Sequence, residues 1–376
     1  MYKKPYGDYL VIFCCVGDGR RTIERFGINP WKLIHSNPKF EKIMCILSEK
    51  ELTIRELSYK LELNEEETLK LIEKLEKGKL VERRKDKFTT TIPILTMEAF
   101  MKIEKYLEPI AEQEAEAIEV NYNYIKEKVM NLPFSKDFNW KYLAHIIIDA
   151  LILDFGVLHE IERLEEETGI RKLYSHWQKI IPFLGFENRF EIPHLGVNSN
   201  KFNSFGISIL HSTLFTRKVS ITEIAKKFEN NVELLSLLLK QPLPLNSKEA
   251  EKYQYKIKEL IKMNWLKVLK GKIQLNLPVI GKNDKKLLTK LVEEISIKIA
   301  EKVVNNIDLI IESYKKLNYS KHLEGMGDYL QLTYHILMGY TVKKLIEKEI
   351  LPKLPKIAPP NYAVWMWEPP WTLEIT

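Results

Sequence analysis

Apolar residues recur at helical spacing from Pro38 onward, where Phe40, Ile43, Met44 and Leu47 share one face and the proline suits a first-turn position. Thr53 with Glu56 three residues later is a capping-box pattern, and it opens a second helix carrying Ile54, Leu57 and Leu61. Asn64 is placed to cap a third helix with Thr68, Leu71, Ile72 and Leu75 inward, ending near Gly78. Leu80 to Arg84, a polar turn at Lys85-Asp86, and the β-branched run Lys87 to Ile92 predict a hairpin. Long helical patterns then cover 97–131, where Pro109 predicts a kink, and 139–167. Within the latter, Ile146 to Leu158 is apolar on every side, which predicts a fully buried position.

The pattern repeats. At a constant offset of 185 residues, Lys85, Phe88 and Ile92-Pro93-Ile94-Leu95 fall on Lys270, Ile273 and Leu277-Pro278-Val279-Ile280. Ile72, Leu75 and Val81 fall on Ile257, Leu260 and Leu266, and Phe134-Ser135-Lys136 on Tyr319-Ser320-Lys321. After a two-residue insertion, Tyr142-Leu143 meets Tyr329-Leu330. Upstream, Thr53-Ile54 to Glu56-Leu57 is matched with Ser220-Ile221 to Glu223-Ile224, and Phe26-Gly27-Ile28 with Phe205-Gly206-Ile207. Agreement at one offset over this length, a shared proline included, reads as an internal duplication. The expected organisation is an N-terminal strand and turn (1–25), a first repeat (26–167), a linker (168–204), a second repeat (205–351) and a Pro/Trp-rich tail (352–376). In the second repeat, helices are expected over 204–216, 220–229 and 249–263, with an irregular insert at 230–248 around Pro242 and Pro244. Long helices are expected again over 283–317 and 326–350.

Three short helices followed by a hairpin, with the run Gly78-Lys79-Leu80-Val81, resembles the winged helix-turn-helix proteins of the MarR/ArsR-like superfamily. The resemblance spans about 55 residues from Phe40 to Leu95 and is one of fold pattern. It implies a mostly helical α+β chain with two tandem winged-helix modules, 38–95 and 204–280, and with appended helices pairing the halves as an intrachain pseudo-dimer. It also implies a DNA-binding transcriptional regulator, possible ligand response, and double-stranded DNA as partner.

Charge refines that expectation. The net charge of +7 is compatible with a polyanionic partner and does not require one. The third helix of such a fold normally meets base edges, yet Glu65, Glu66 and Glu67 occupy its first turn in copy one and would repel phosphate. Copy two offers Lys252, Gln254, Tyr255 and Lys256 instead. The hairpins carry Arg83, Arg84, Lys85 and Lys87 in copy one, and Lys267, Lys270 and Lys272 in copy two. The alternative is an adaptor that binds no DNA and uses the acidic helix or the tail tryptophans, Trp365, Trp367 and Trp371, on a protein partner.

Other chemistry is sparse. His145 and Asp149 are four apart on the central helix, with Asp154 beyond. They read either as a satisfied buried pair or as the lining of a ligand pocket. Copy two has Leu332, Ile336 and Thr341 at those positions, so no symmetric metal site is expected. Cys14-Cys15 lies on an expected buried strand, where neighbours point to opposite faces, so shared ligation is awkward. Gly17-Asp18-Gly19-Arg20-Arg21 lacks the full phosphate-binding fingerprint and reads as a turn. No Ser/His/Asp or Cys/His grouping stands out, so neither an enzyme nor a cofactor is expected. Three cysteines suit a reducing compartment, and the run Tyr9 to Val16 lacks a cleavage site, so a cytoplasmic protein without a membrane span is expected.

Overall fold

The computed structural model describes residues 8–14, 19–168, 183–189, 191–212, 214, 221–317, 326–354 and 362–368. Among the described residues the chain is mostly helical with four small sheets, and so α+β. It divides into two compact units, each drawing on separate stretches of chain. The first takes Met1–Ala111, Glu162–His194 and Val303–Leu337, and the second takes Glu112–Ile161, Leu195–Lys302 and Met338–Thr376. The boundaries therefore differ from a simple split into 26–167 and 205–351.

In the first unit the helices are Pro38–Glu49, Ile54–Leu61 and Glu65–Lys77. The capping box forms as the sequence implies. Thr53 Oγ1 accepts from the Glu56 N–H at 3.2 Å, and Glu56 Oε2 accepts from the Thr53 N–H at 2.8 Å. Asn64 caps the third helix through the Glu67 N–H. Strands Val81–Arg84 and Lys87–Thr90 form the hairpin, with Leu52–Thr53 added at its edge. Leu57, Ile72, Leu75, Phe88 and Ile43 share one core with Trp31 and Leu47. Gly78 is needed for packing, since a Cβ there would lie 2.5 Å from Leu33 Cδ2. The left-handed residue that ends the helix is Lys79, with φ of 55°.

The second unit contains the same local arrangement, but some of its elements are not those the sequence pattern suggests. Strands Leu266–Leu269 and Lys272–Leu275 form the hairpin with Leu243–Pro244 at its edge. Leu52 faces Phe88, and Leu243 faces Ile273, its counterpart at the 185-residue offset. The backbone agrees at that offset too. Lys79 and Asn264 both have positive φ, as do Lys85 and Lys270. Leu80 N–H donates to Leu75 O, and Trp265 N–H to Leu260 O. The edge strands then fix the rest of the correspondence. Helix Val232–Lys240 answers to Pro38–Glu49, and Lys248–Lys252 to Ile54–Leu61. So 230–248 is not an insert, and Ile221–Asn230 is not the counterpart of the Thr53-capped helix. The expected helix 249–263 breaks at Tyr253 into Lys248–Lys252 and Gln254–Lys262.

Two further sheets share a second pattern. In the first unit, Leu10–Cys14 pairs antiparallel with Phe183–Glu187, which pairs parallel with Ile94–Leu95. In the second, Gly206–Ser212 pairs antiparallel with Val364–Trp367, which pairs parallel with Val279–Ile280. Leu195–Lys201 is a fourth strand there. Each repeat thus owns a strand before its helices, a short strand after its hairpin, and a closing strand. The expected helix over 204–216 is therefore a strand over 206–212. All seven of its residues are buried, so its composition shows neither period. The linker and the tail supply the closing strands, with Trp365 and Trp367 at positions equivalent to Leu184 and Phe186. Cys15, Gly17, Asp18, Ser220, Tyr319-Ser320-Lys321 and Trp371 lie outside the described residues.

The long helices are Met97–Met130, unbroken at Pro109, and Lys282–Asn305 followed by Ile307–Tyr314 and Met326–Glu347. The central apolar segment is a π-helix, Ile146–Val157, between helical turns Trp140–His145 and Leu158–Thr168. In the second unit it lies against strands Leu195–Lys201 and Gly206–Ser212. Ser296 Oγ donates to Ile152 O at 3.2 Å from helix Lys282–Asn305. Trp140–Ile161 is continuous, and is long and apolar enough to cross a bilayer; 72% of its most apolar window is buried in the protein.

Candidate nucleic-acid interface

Copy two brings Lys252, Gln254, Tyr255 and Lys256 together at the junction of two short helices. Lys252 ends the helix Lys248–Lys252, which Ser247 caps through the Ala250 N–H at 3.1 Å. Gln254, Tyr255 and Lys256 form the first turn of Gln254–Lys262. Tyr253 between them is buried, and its hydroxyl donates to Glu233 Oε2 at 2.9 Å, which anchors the junction. Lys252 lies with its ammonium 4.7 Å from the centre of the Tyr253 ring. Gln254 is exposed, and Tyr255 projects with 80% of its surface in solvent. Lys256 is partly committed, since its ammonium donates to Asn230 O at 2.7 Å.

The hairpin cations are less uniformly available than the sequence suggests. In copy one, Arg84 is bound to two carboxylates of its own unit, Glu82 and Glu51. Arg83 lies over the Phe88 ring at 5.6 Å, and its Nε donates to Lys85 O. Lys85 is exposed at the turn and Lys87 is half-buried. In copy two, Lys267 pairs with Asp137 at 3.1 Å, whereas Lys270 and Lys272 are exposed and have no carboxylate partner among the described residues. The third helix of copy one presents Glu65, Glu66 and Glu67, all exposed, with Lys70 tied to Glu66 at 2.6 Å. Their carboxylates sit at the positive end of the helix, which stabilises the helix and opposes an incoming phosphate.

His145, Asp149 and Asp154 resolve into two separate arrangements. His145 and Asp149 are both fully buried and joined by a 2.6 Å bond from Nδ1 to Oδ2. His145 Nε2 bonds Pro352 O at 2.9 Å, and a carbonyl only accepts, so Nε2 carries a hydrogen. One proton then lies in the Nδ1–Oδ2 bond, and the pair is neutral whichever side holds it. Burial raises Asp149 above the ordinary carboxylate range, against the lowering influence of His145. Burial opposes a charged His145 imidazole, but the Asp149 carboxylate and the bond to the Pro352 carbonyl together raise His145. Tyr362 stands beside them, 6.1 Å from the His145 ring. Asp154 is held elsewhere, accepting from the Val197 N–H, and burial pushes it up to about 7. The structure thus joins His145 to Asp149 and ties Asp154 to a strand.

Sequence reasoning missed Glu114. It is fully buried on Met97–Met130, and its Oε2 accepts from Thr341 Oγ1 at 2.6 Å. Burial pushes its carboxyl up to about 8. A glutamate inside a Glu-rich amphipathic helix carries no signal of its own; only a strict helical-wheel count would have placed it inward. Among the described residues no group of three or more His, Cys, Asp or Glu side chains could hold a metal ion. No family model, curated protein or solved structure matches the chain.

Proposed function

We propose that this protein is a DNA-binding regulator built from two winged-helix modules, with the second module making the principal contact. The observation that carries the reading is the second module's surface. An exposed helix start with Gln254 and Tyr255 lies within one module with a hairpin bearing Lys270 and Lys272. Glutamine amides recognise base edges, and lysines at a hairpin turn meet phosphate. The repeated order of helix, edge strand, two helices and hairpin supports the winged-helix assignment in both copies. The glutamates of copy one and the self-paired Arg84 argue for asymmetric binding.

The test is titration of mixed-sequence duplex DNA at two salt concentrations. Binding that weakens steeply with salt supports the reading. Lys252→Glu should weaken binding by about 1–3 kcal/mol, and Glu66→Ala should leave it unchanged or slightly improved. The reverse result would move the contact to copy one. A second reading, a winged-helix adaptor, is favoured by one feature: Tyr59, on the helix that precedes the acidic turn of copy one, stands 86% exposed. No duplex binding even at low salt would leave that adaptor reading in place.

A further inference from the structure

The second hairpin has a composition that phosphate contact alone does not call for. Between Trp265 and Leu277 it carries Lys267, Lys270 and Lys272 and no carboxylate, whereas the first hairpin includes Glu82 and Asp86. Val268 and Leu269 replace Arg83 and Arg84 at equivalent strand positions, and are 46% and 51% exposed. Leu269 pairs with Lys272, and Lys272 with Pro244, so these three side chains share one face of the small sheet. Leu245 follows Pro244, is 51% exposed, and donates its N–H to Gly271 O at 3.0 Å. Lys270 and Gly271 have φ of 50° and 71°, the left-handed pair of a two-residue hairpin turn that matches strand twist and fixes the tip. The product is a rigid finger that exposes an apolar spot, Leu269, beside Lys270 and Lys272, with Pro244 on the far side of Lys272.

Charge complementarity selects the occupant. A protein partner would cover the leucines and leave Lys270 and Lys272 to find acids at the rim. The minor groove of a duplex takes both features at once, with lysines against the phosphates and an apolar wedge between base pairs. We propose that this hairpin enters the minor groove and inserts Leu269 into a base step, so that the protein bends the DNA it binds. The proposal rests on the DNA-binding reading and adds to it a deformation. The first hairpin cannot do the same, because Arg84 stands at the equivalent place and is held by Glu82 and Glu51. The bend therefore belongs to one module.

The experiment uses the full chain and mixed-sequence duplexes of about 24 base pairs with a donor and acceptor dye on opposite ends, at about 50 mM salt, with anisotropy reporting binding in the same samples. Saturating protein should raise energy transfer to that of a duplex bent by roughly 20–90°. Leu269→Ala, an exposed substitution that leaves the fold intact, should weaken binding less than loss of Lys270 and Lys272 does, while energy transfer at saturating protein falls to that of straight DNA. Lys270→Ala with Lys272→Ala should weaken binding and flatten the slope of log affinity against log salt by about 2. A full bend retained by Leu269→Ala overturns the wedge and leaves DNA binding standing. Absence of salt-sensitive binding by the unaltered chain overturns both. Self-association lost in Leu269→Ala, seen by sedimentation with the bend unchanged, would assign the apolar spot to a second copy of the chain.

Discussion

Replacing Glu114 with glutamine isolates the cost of one buried carboxyl group. Glu114 has no exposed surface, one oxygen bonded to Thr341 and the other, Oε1, without a partner. Its pKa is raised by burial from 4.5 to about 8, so the folded protein holds a proton that the unfolded chain releases. The sign follows from that. Stability from this group is complete below the unfolded value and is lost as pH rises through the folded one. With 1.36 kcal/mol per unit, the contribution relative to high pH is about 4 kcal/mol at about pH 5, about 1.4 at about pH 7, and essentially nil at about pH 9. Glu114→Gln keeps the shape, accepts the Thr341 hydroxyl through its amide oxygen, and does not titrate. Its amide N–H group takes over the unpartnered side, a roughly pH-independent cost of about 1–3 kcal/mol. Urea unfolding of both proteins at the three pH values should show the wild type losing stability relative to the variant as pH rises. Parallel curves would refute the argument and place Glu114 in the ordinary ionised range. Thr341→Val offers a check that leaves the acid in place: removing the donor should extend the same loss to higher pH, because the hydroxyl bond lowers the pKa.

Gly156→Ala should destabilise by about 1–3 kcal/mol, because its Cβ would lie 2.6 Å from Val292 Cγ1 and closer still to Ser296 Oγ. Adding Ser296→Ala should recover part of that loss in thermal melts, and no recovery would refute the packing account. His145→Ala should cost about 3–5 kcal/mol by leaving Asp149 buried and unpaired. The loss should shrink on adding Asp149→Leu, and a double-mutant cycle at neutral pH reads the coupling. Gly271→Ala meets nothing within 4 Å, so it should cost only the left-handed backbone penalty, about 1 kcal/mol by calorimetry.

Local chemistry was legible from residues alone. The capping box at Thr53 and Glu56, the helix over 65–77 and both hairpin turns follow from side chains that act within a few residues of themselves. The hairpins' offset also held, because Phe88 and Ile273 occupy one structural position. The exposed cations and glutamates of the candidate interface could likewise be named from the chain. Their commitments could not: Arg84 is bound by Glu51, Lys267 by Asp137, and Lys256 by the Asn230 carbonyl, each across sequence distance.

What the sequence by itself determined, then, is which segments are amphipathic, where they start, and that the helix-and-hairpin core occurs twice. Tertiary structure alone decided two of the strands. Gly206–Ser212 and Val364–Trp367 are buried at every position, and their identity as strands depends on partners far along the chain. It also decided that 146–157 winds as a π-helix, since a segment buried on every side shows no contrast from which a period could be read. And it decided that Glu114 keeps its proton, because solvent exclusion is a property of the packed fold and not of a glutamate in a helix.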